Sequence, residues 1–307
     1  MSGLTLSAEI AAVLAESRPV VALESTLIAH GLPWPANLET ARDAETAVRE
    51  TGGVPATIAI CNGVPTIGLS DAQIAYFART PGIFKASRRD IGAAIGLGRN
   101  AATTVSATMA LAHAAGLKVF ATGGIGGAHR ETSDTNPFDI SADLTELART
   151  PILVVCAGAK SILHLPRTLE ILETFGVPVL GYRTDEFPAF YVSQSELPVS
   201  CRIESPQEAV AVFAEHVKLS GGGVVLAQPC PVDVAIHAEE FNTWLEKAES
   251  DARISNVRGA QLTPFLLARL TELSSGRTLK ANSALVVANA RLAAEVAVAL
   301  ARNTATS

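Results

Sequence analysis

Lys160 carries the strongest chemical signal in the chain. It follows the apolar run Ile-Leu-Val-Val-Cys at 152–156 and closes the small turn Ala157-Gly158-Ala159. A lysine in such a turn is poorly placed as an ordinary surface cation, because lysines seldom enter an interior without a purpose. Desolvation or a second cation nearby (Lys85, Arg88 or a metal) leaves part of such an amine neutral, the form that attacks a carbonyl to give a Schiff base. An ammonium that snorkels to solvent or pairs with Asp143 fits the same observation. Asp139 and Asp143 stand at i and i+4 in Phe-Asp-Ile-Ser-Ala-Asp-Leu, a spacing that predicts one helical face. Like charges that close favour a cation beside them or protonation of one. Equally, Asp139 caps the helix and Asp143 faces solvent. No His/Asp/Glu grouping resembles a saturated zinc site, and a hard ion holding mostly waters and one carboxylate suits the pattern better, as Mg2+ or Mn2+ does.

The stretch Thr122-Gly-Gly-Ile-Gly-Gly-Ala-His129-Arg130 follows a second apolar run at 118–121. Tested against the dinucleotide fingerprint, it fails: His129 stands where the third glycine belongs, and no acidic residue ends a second strand at the usual offset. G-x-x-x-x-G-K-[ST], G-x-S-x-G and H-E-x-x-H are absent as well. Backbone N–H groups beside His129 and Arg130 predict a phosphate-binding wall. Lys85, Arg88 and Arg89 form a second cationic cluster, either a solvated face or a phosphate contact. Glu24 directly follows an apolar strand at 19–23; a carboxylate there either faces solvent or serves a site.

The elements that must position these residues are those of an α/β protein. Short apolar runs at 19–23, 82–84, 118–121, 152–156, 177–181 and 223–227 read as strands. They alternate with helices over 7–16, 37–50, 70–79, 103–115, 166–175, 206–219, 234–248, 264–273 and 282–302. Asn62-Gly63 between apolar segments 56–61 and 64–69 is a hairpin signal, so the sheet is predicted to be mixed. Ser70, Ser205 and Thr263 are expected as N-caps, and 182–205 as irregular. Ligands in open α/β sheets bind beyond the carboxyl ends of the strands, which makes 122–160 half of an expected site. A single α/β domain over 1–307 is the expectation.

Composition bounds the function. Of the 307 residues, 48% are hydrophobic and 18% charged, an enzyme-like balance, and the net charge of −6 with 5% aromatics argues against a nucleic-acid polymer as partner. Four cysteines without a C-x-x-C pair predict free, buried thiols in a reducing compartment. No basic n-region precedes an apolar h-region, and the apolar stretch at 281–301 is interrupted by Asn282, Asn289, Arg291 and Glu295. A core helix is expected there and no membrane span, in a cytoplasmic protein.

Several longer motifs carry a family resemblance. VALESTLIAHGLPWPAN, FKASRRD, AATTVSATM, TGGIGGAHR, FDISADL, VVCAGAKSIL, TFGVPVLGY, TPFLLARL and LVVANARLAAEVA stand in order from Glu24 to Glu295. Together they resemble the pseudouridine-5'-phosphate glycosidase family. The resemblance implies a three-layer α/β/α fold with a mixed, mostly parallel central sheet, assembled as a homotrimer. It implies reversible cleavage of the C–C glycosidic bond of pseudouridine 5'-phosphate to uracil and ribose 5-phosphate. By motif, Glu24 is the proton donor and Lys160 the nucleophile. Asp139 holds one Mn2+ per subunit, and Lys85, Val105, Ser141, Ala142 and Asp143 contact substrate. His129 and Asn289 are added for phosphate and uracil. Three departures stand out: His164 replaces an expected acidic residue, Ala288 the first of paired asparagines, and 131–137 is longer than the pattern implies.

That residue set suits the bond. A C–C glycoside has no heteroatom leaving group, so paired carboxylates alone serve it poorly. Opening the ribose and capturing C1' as an imine needs an acid and an amine. Competing readings are the indigoidine-biosynthesis branch of the same family, a Schiff-base aldolase on another sugar phosphate, and a non-catalytic sugar-phosphate-binding protein. The last needs neither Glu24 nor Lys160.

Overall fold

The computed structural model describes residues 3–130, 139–257 and 262–305. The chain opens with β1 (Thr5–Leu6) and α1 (Ala8–Ala15), where the Ser7 hydroxyl accepts the Ile10 amide at 3.2 Å. After β2 (Val20–Leu23) the chain turns through a π-helical stretch, Leu27–Gly31, into α2 (Ala36–Glu50). β3 (Val54–Cys61) and β4 (Val64–Ile67) pair antiparallel across Asn62-Gly63. Both turn residues have positive φ, 49° and 78°, as a type I′ hairpin requires. α3 (Asp71–Arg79) starts at a capping box formed by Ser70 and Gln73. Then follow β5 (Phe84–Ala86), α4 (Ile91–Gly96), β6 (Ala101–Thr103), α5 (Val105–Ala114) and β7 (Val119–Ala121). The second half comprises α6 (Ala142–Leu147), β8 (Leu153–Cys156), α7 (Leu165–Thr174), β9 (Val179–Tyr182) and β10 (Cys201–Ile203). It closes with α8 (Pro206–Lys218), β11 (Val224–Ala227), α9 (Ala238–Ile254), α10 (Leu262–Leu273) and α11 (Arg277–Ala305).

The central sheet runs β1-β4-β3-β2-β7-β8-β11-β9-β10, with β6 against β3 and β5 against β6. Only β3–β4 and β3–β6 pair antiparallel among the described strands. β2, β8 and β11 are buried along their whole length, as parallel strands covered on both faces must be. The mixed, mostly parallel sheet with flanking helices agrees with the expected fold class. From β2 the chain moves outward to β3, then returns to place β7 on β2's other side. The order therefore reverses between the carboxyl ends of β2 and β7, the position where open α/β sheets bind ligands.

Several elements depart from the pattern-based reading. Thr103 ends strand β6 and does not open the helix; β6 is too short for periodicity to reveal. The span 182–205 contains β10, whose residues Cys201 and Arg202 are exposed and so lack an apolar signature. α10 begins at Leu262, which places Thr263 and Pro264 inside its first turn and removes Thr263 as the N-cap. The helix expected over 234–248 runs as Ala238–Ile254. Cys156 and Cys230 are buried and burial pushes both thiols up to about 12, whereas Cys201 is exposed; all four are free. α11 is long and apolar enough to cross a bilayer by length and composition. Its apolar residues are instead spent inside the fold, where it packs on β2, β7, β8, α2 and α8.

Candidate active site

The switch point is built around Glu24, the residue immediately after β2. Its half-buried carboxylate accepts hydrogen bonds from the hydroxyls of Thr26 and of Thr122, the first residue after β7. Hydroxyl donors stabilise a carboxylate without neutralising it by an ion pair. Beneath them Ser25 donates to the Ile58 carbonyl at 2.7 Å and accepts the Thr103 amide at 2.9 Å, tying β2 to β3 and β6. Thr26 and Thr122 were not singled out from sequence; each is one of many threonines until the strands bring it to Glu24.

Lys160 enters the same cleft from the turn after β8. Gly158 adopts φ +83°, and a Cβ there would run into the Pro188 carbonyl, so only glycine makes this turn. The Lys160 amide donates to the Ile125 carbonyl at 3.1 Å, which fixes the turn against the glycine loop. Its half-buried side chain makes no hydrogen bond or ion pair among the described residues. The alternative of a Lys160–Asp143 pair is thereby excluded. Asp143 is 5% exposed, and its two carboxylate oxygens accept the Ser106 amide at 2.9 Å and the Gly126 amide at 2.8 Å. Asp143 therefore clamps the first turn of α5 to the glycine loop.

Replacing Asp143 removes two charge-assisted bonds and leaves two buried amides unpaired. Asp143→Ala is expected to cost about 2–4 kcal/mol in urea denaturation. Asp143→Asn should recover only part of this, because one amide oxygen replaces two carboxylate oxygens opposite two N–H donors.

Part of the glycine loop is used within the fold. The amides of Ile125, Gly126, Ala128 and His129 donate to Gly158 O, Asp143, Thr168 and Asp139 O, at 3.0, 2.8, 3.0 and 3.0 Å. These four donors are consumed within the protein and are not available to a phosphate. The glycines serve close packing: a Cβ on Gly126 would meet Ser141, and one on Gly124 would lie 2.6 Å from the Phe190 ring.

Asp139 and Asp143 also lie apart. α6 starts at Ala142, and Ser141 is its N-cap, accepting the Asp143 amide at 3.2 Å. Asp139 precedes the helix, is exposed, and faces the cleft; its side chain makes no hydrogen bond or ion pair among the described residues. One free carboxylate fits an ion that keeps most of its waters. No group of three or more His, Cys, Asp or Glu that could hold a metal occurs among the described residues, which argues against a closed protein cage.

Lys85 on β5, Val105 and Ser106 at the start of α5, and Ser141 and Ala142 line the same cleft of about 460 Å3. Surrounding protein, and after it the Lys160 ammonium, hold Lys85 below the usual lysine value, against the pull of Glu24 and Asp143. Arg89 also lines the cleft, whereas Arg88 turns to Glu146 at 3.5 Å. His129 lines it too, half-buried. Asn289 does not. It is fully buried, donates to the carbonyls of Thr122 and Gly123 at 2.8 and 3.2 Å, and accepts from Gln228 at 2.8 Å. It braces the glycine loop from behind. His164 caps α7, its Nδ1 accepting the Arg167 amide at 3.1 Å, and Ala288 lies on the far side of α11 in another cavity. The long segment 131–137, and Phe138 of the FDISADL motif, lie outside the described residues.

Sequence reasoning passed over three other wall residues. Phe190, buried at φ 64°, lays its ring on Gly123 and Gly124. His30 projects from the π-helical turn; burial, then Lys85, hold its pKa below the usual histidine value against the Ile83 carbonyl, so it is neutral at pH 7. Asn282 on α11 is 5% exposed, and among the described residues neither its Oδ1 nor His30 Nε2 has a hydrogen-bond partner. The polar interruption at Asn282 in an apolar helix was the available signal.

Comparison with known proteins places this cleft in a family. The indigoidine synthase A-like family model matches residues 9–299, and the chain belongs to that family. Its curated relatives include proteins named pseudouridine-5'-phosphate glycosidase. One from Roseiflexus is 54% identical over 97% of this chain and 96% of its own length. One from Caldanaerobacter subterraneus subsp. tengcongensis is 52% identical over 97% and 96%. Among solved structures, prealnumycin C-glycosynthase AlnA in complex with ribulose 5-phosphate superposes with TM-score 0.92 at 41% identity over all of both chains. An indigoidine synthase A-like protein from Thermotoga maritima does so with TM-score 0.86 at 38% identity over 94% of each.

Proposed function

We propose that this chain is a pseudouridine-5'-phosphate glycosidase that works through a Schiff base at Lys160. The observation that carries the reading is the pairing, across one switch-point cleft, of a carboxyl group held by two threonine hydroxyls with a lysine whose side chain has no partner among the described residues. Curated relatives of that name at about half identity, matching almost end to end, support the substrate.

Glu24 delivers a proton to the ribose ring oxygen, and the Lys160 amine bonds to C1' as the C1'–O bond breaks. The ammonium so formed returns a proton to the Glu24 carboxylate. Uracil C5 then takes that proton while the freed Lys160 nitrogen lone pair forms the C1'=N bond and the C–C bond breaks, its electrons restoring the uracil C5=C6 bond. Uracil departs, and water hydrolyses the imine to ribose 5-phosphate and free Lys160. Lys85 and Arg89 supply positive charge for the phosphate. Asn282 and His30 offer polar atoms to the base, with Phe190 as an apolar wall. Asp139 holds Mn2+, which supplies further charge beside a phosphorylated substrate when bound. A homotrimer and a cytoplasmic location belong to the same reading.

The test mixes uracil, ribose 5-phosphate, Mn2+ and protein, and looks for pseudouridine 5'-phosphate by mass spectrometry. Its absence with folded protein, alongside a different aldol cleavage that Lys160→Ala abolishes, would favour an aldolase. Chelation is expected to abolish turnover, and added Mn2+ to restore it. Asp139→Asn should weaken Mn2+ binding, followed by electron paramagnetic resonance, on the order of tenfold.

A further inference from the structure

The two threonines that hold Glu24 are not alike. Thr122 Oγ1 has Glu24 Oε1 as its one hydrogen-bond partner among the described residues. Thr26 Oγ1 lies between two oxygens, Glu24 Oε2 and the main-chain carbonyl of Thr103, the latter at 3.1 Å. A hydroxyl has one hydrogen to give and two lone pairs to accept with. The Thr103 carbonyl only accepts. When Thr26 donates to it, Thr26 meets Glu24 as an acceptor, and a protonated Glu24 supplies the hydrogen. When Glu24 is ionised, the Thr26 hydrogen turns to Oε2 instead. Thr26 precedes the π-helical turn Leu27–Gly31 without capping it, so its hydroxyl is not engaged there. It is 8% exposed, yet lines the cleft beside Glu24. The floor beneath accommodates such a turn. Ser25 Oγ and Thr103 Oγ1 both donate to the Ile58 carbonyl at 2.7 Å, which commits their hydrogens. Thr108 Oγ1 stands 2.9 Å from Thr103 Oγ1 and 3.5 Å from the Thr103 carbonyl. Once Thr26 turns to Glu24, the Thr108 hydroxyl is the donor within reach of that carbonyl, and a buried acceptor is not stranded.

We propose that Thr26 is a positioning residue that lets Glu24 change protonation state in place, accepting from the carboxylic acid and donating to the carboxylate. The inference rests on the acid-and-amine reading of the preceding section. There Glu24 gives a proton to the ribose ring oxygen, takes one back from the Lys160 ammonium and passes that one to uracil C5. A donor of fixed direction, as Thr122 is toward Oε1, favours the carboxylate over the acid. A partner that turns keeps a hydrogen bond to both forms, so the carboxyl group stays aimed into the cleft while its charge changes. The turn moves one hydrogen and no heavy atom. A backbone amide in the same place would have no such freedom, because it only donates. No proton passes through Thr26: the transferred proton stays on Glu24 until the substrate takes it.

The experiment compares Thr26→Val, Thr26→Ser and Glu24→Gln with wild type on pseudouridine 5'-phosphate in the presence of Mn2+. Thr26→Val keeps the branched shape and removes the hydroxyl. It should lower kcat about tenfold to a hundredfold, part of the roughly 10^2- to 10^4-fold that a positioned acid contributes, with little change in KM. Thr26→Ser should restore most of the loss. Borohydride trapping of open-chain ribose 5-phosphate at Lys160 should stay near wild type in Thr26→Val. The pH–rate profile then separates a turning partner from a simple donor. A hydroxyl that only donated would hold the charged form, and its loss would carry the alkaline limb of kcat upward. A hydroxyl that serves both forms leaves that limb in place. Absence of the limb from Glu24→Gln assigns it, since Lys85, Lys160, His30, His129, Asp139 and Asp143 line the same cleft. Wild-type kcat in Thr26→Val, no rescue by Thr26→Ser, or an upward-shifted limb overturns the proposal. So does lost trapping, which marks damage to the whole cleft. Full turnover by Glu24→Gln would instead overturn the acid assignment on which the proposal stands.

Discussion

Lys160→Ala is expected to abolish turnover of pseudouridine 5'-phosphate, lowering kcat on the order of 10^4-fold or more, as loss of a covalent nucleophile does. The fold should survive, because the side chain makes no hydrogen bond or ion pair among the described residues and the turn is held by the Lys160 amide on Ile125. Thermal unfolding of the variant should therefore stay close to wild type. Borohydride added with ribose 5-phosphate should leave a secondary amine on Lys160, readable by peptide mass spectrometry and absent from the variant. A full-length adduct at Lys85 in place of Lys160 would reassign the nucleophile. Lys85 is the one rival worth naming, since it lines the same cleft and burial holds its pKa below the usual lysine value. Lys85→Ala should instead raise KM for the phosphorylated sugar and leave the adduct at Lys160.

Glu24→Gln is expected to lower kcat about 10^2- to 10^4-fold, the range of a positioned proton donor, with a much smaller change in KM. The amide keeps the size of the carboxyl group. The Thr26 and Thr122 hydroxyls can donate to its oxygen or accept from its nitrogen, so stability should change by no more than about 1 kcal/mol. The discriminating measurement is the adduct. Incubated with preformed open-chain ribose 5-phosphate, Glu24→Gln should still trap at Lys160, because imine formation from an aldehyde no longer needs ring-oxygen protonation. With the closed nucleotide as substrate, trapping should fall with turnover. Near-wild-type turnover would remove the proton-donor assignment altogether.

Much of this was legible in the residues. Apolar runs of four or five, bounded by glycine or proline, located β2, β8, β9 and β11, since fully buried strands leave little room for polar residues. Asn62-Gly63 announced a hairpin because few other pairs tolerate two left-handed conformations. Lys160 stood out for being polar where a buried strand turns. Short β6 and the exposed β10 left no such trace.

The chain's local chemistry by itself determined most of the strands, the Ser70 and Ser205 caps and the hairpin, and it singled out Lys160, because each depends on near neighbours along the backbone. Glu24 was marked as an acid only by the family resemblance. Which groups they meet was decided only by tertiary structure. Thr122 reaches Glu24 because β7 is laid beside β2 at the strand-order reversal. Asp143 became a clamp because Ser106 and Gly126 bring their amides to it from distant segments. The N–H groups of Ile125, Gly126, Ala128 and His129 were taken up in the same way by partners within the fold. Asn289 and Asn282 are alike in sequence, and only the rotation of α11 against the sheet turns one behind the loop and the other toward the cleft. Hydrogen-bond donors and acceptors are properties of residues, but whether they remain free for a substrate depends on what the rest of the chain has already claimed.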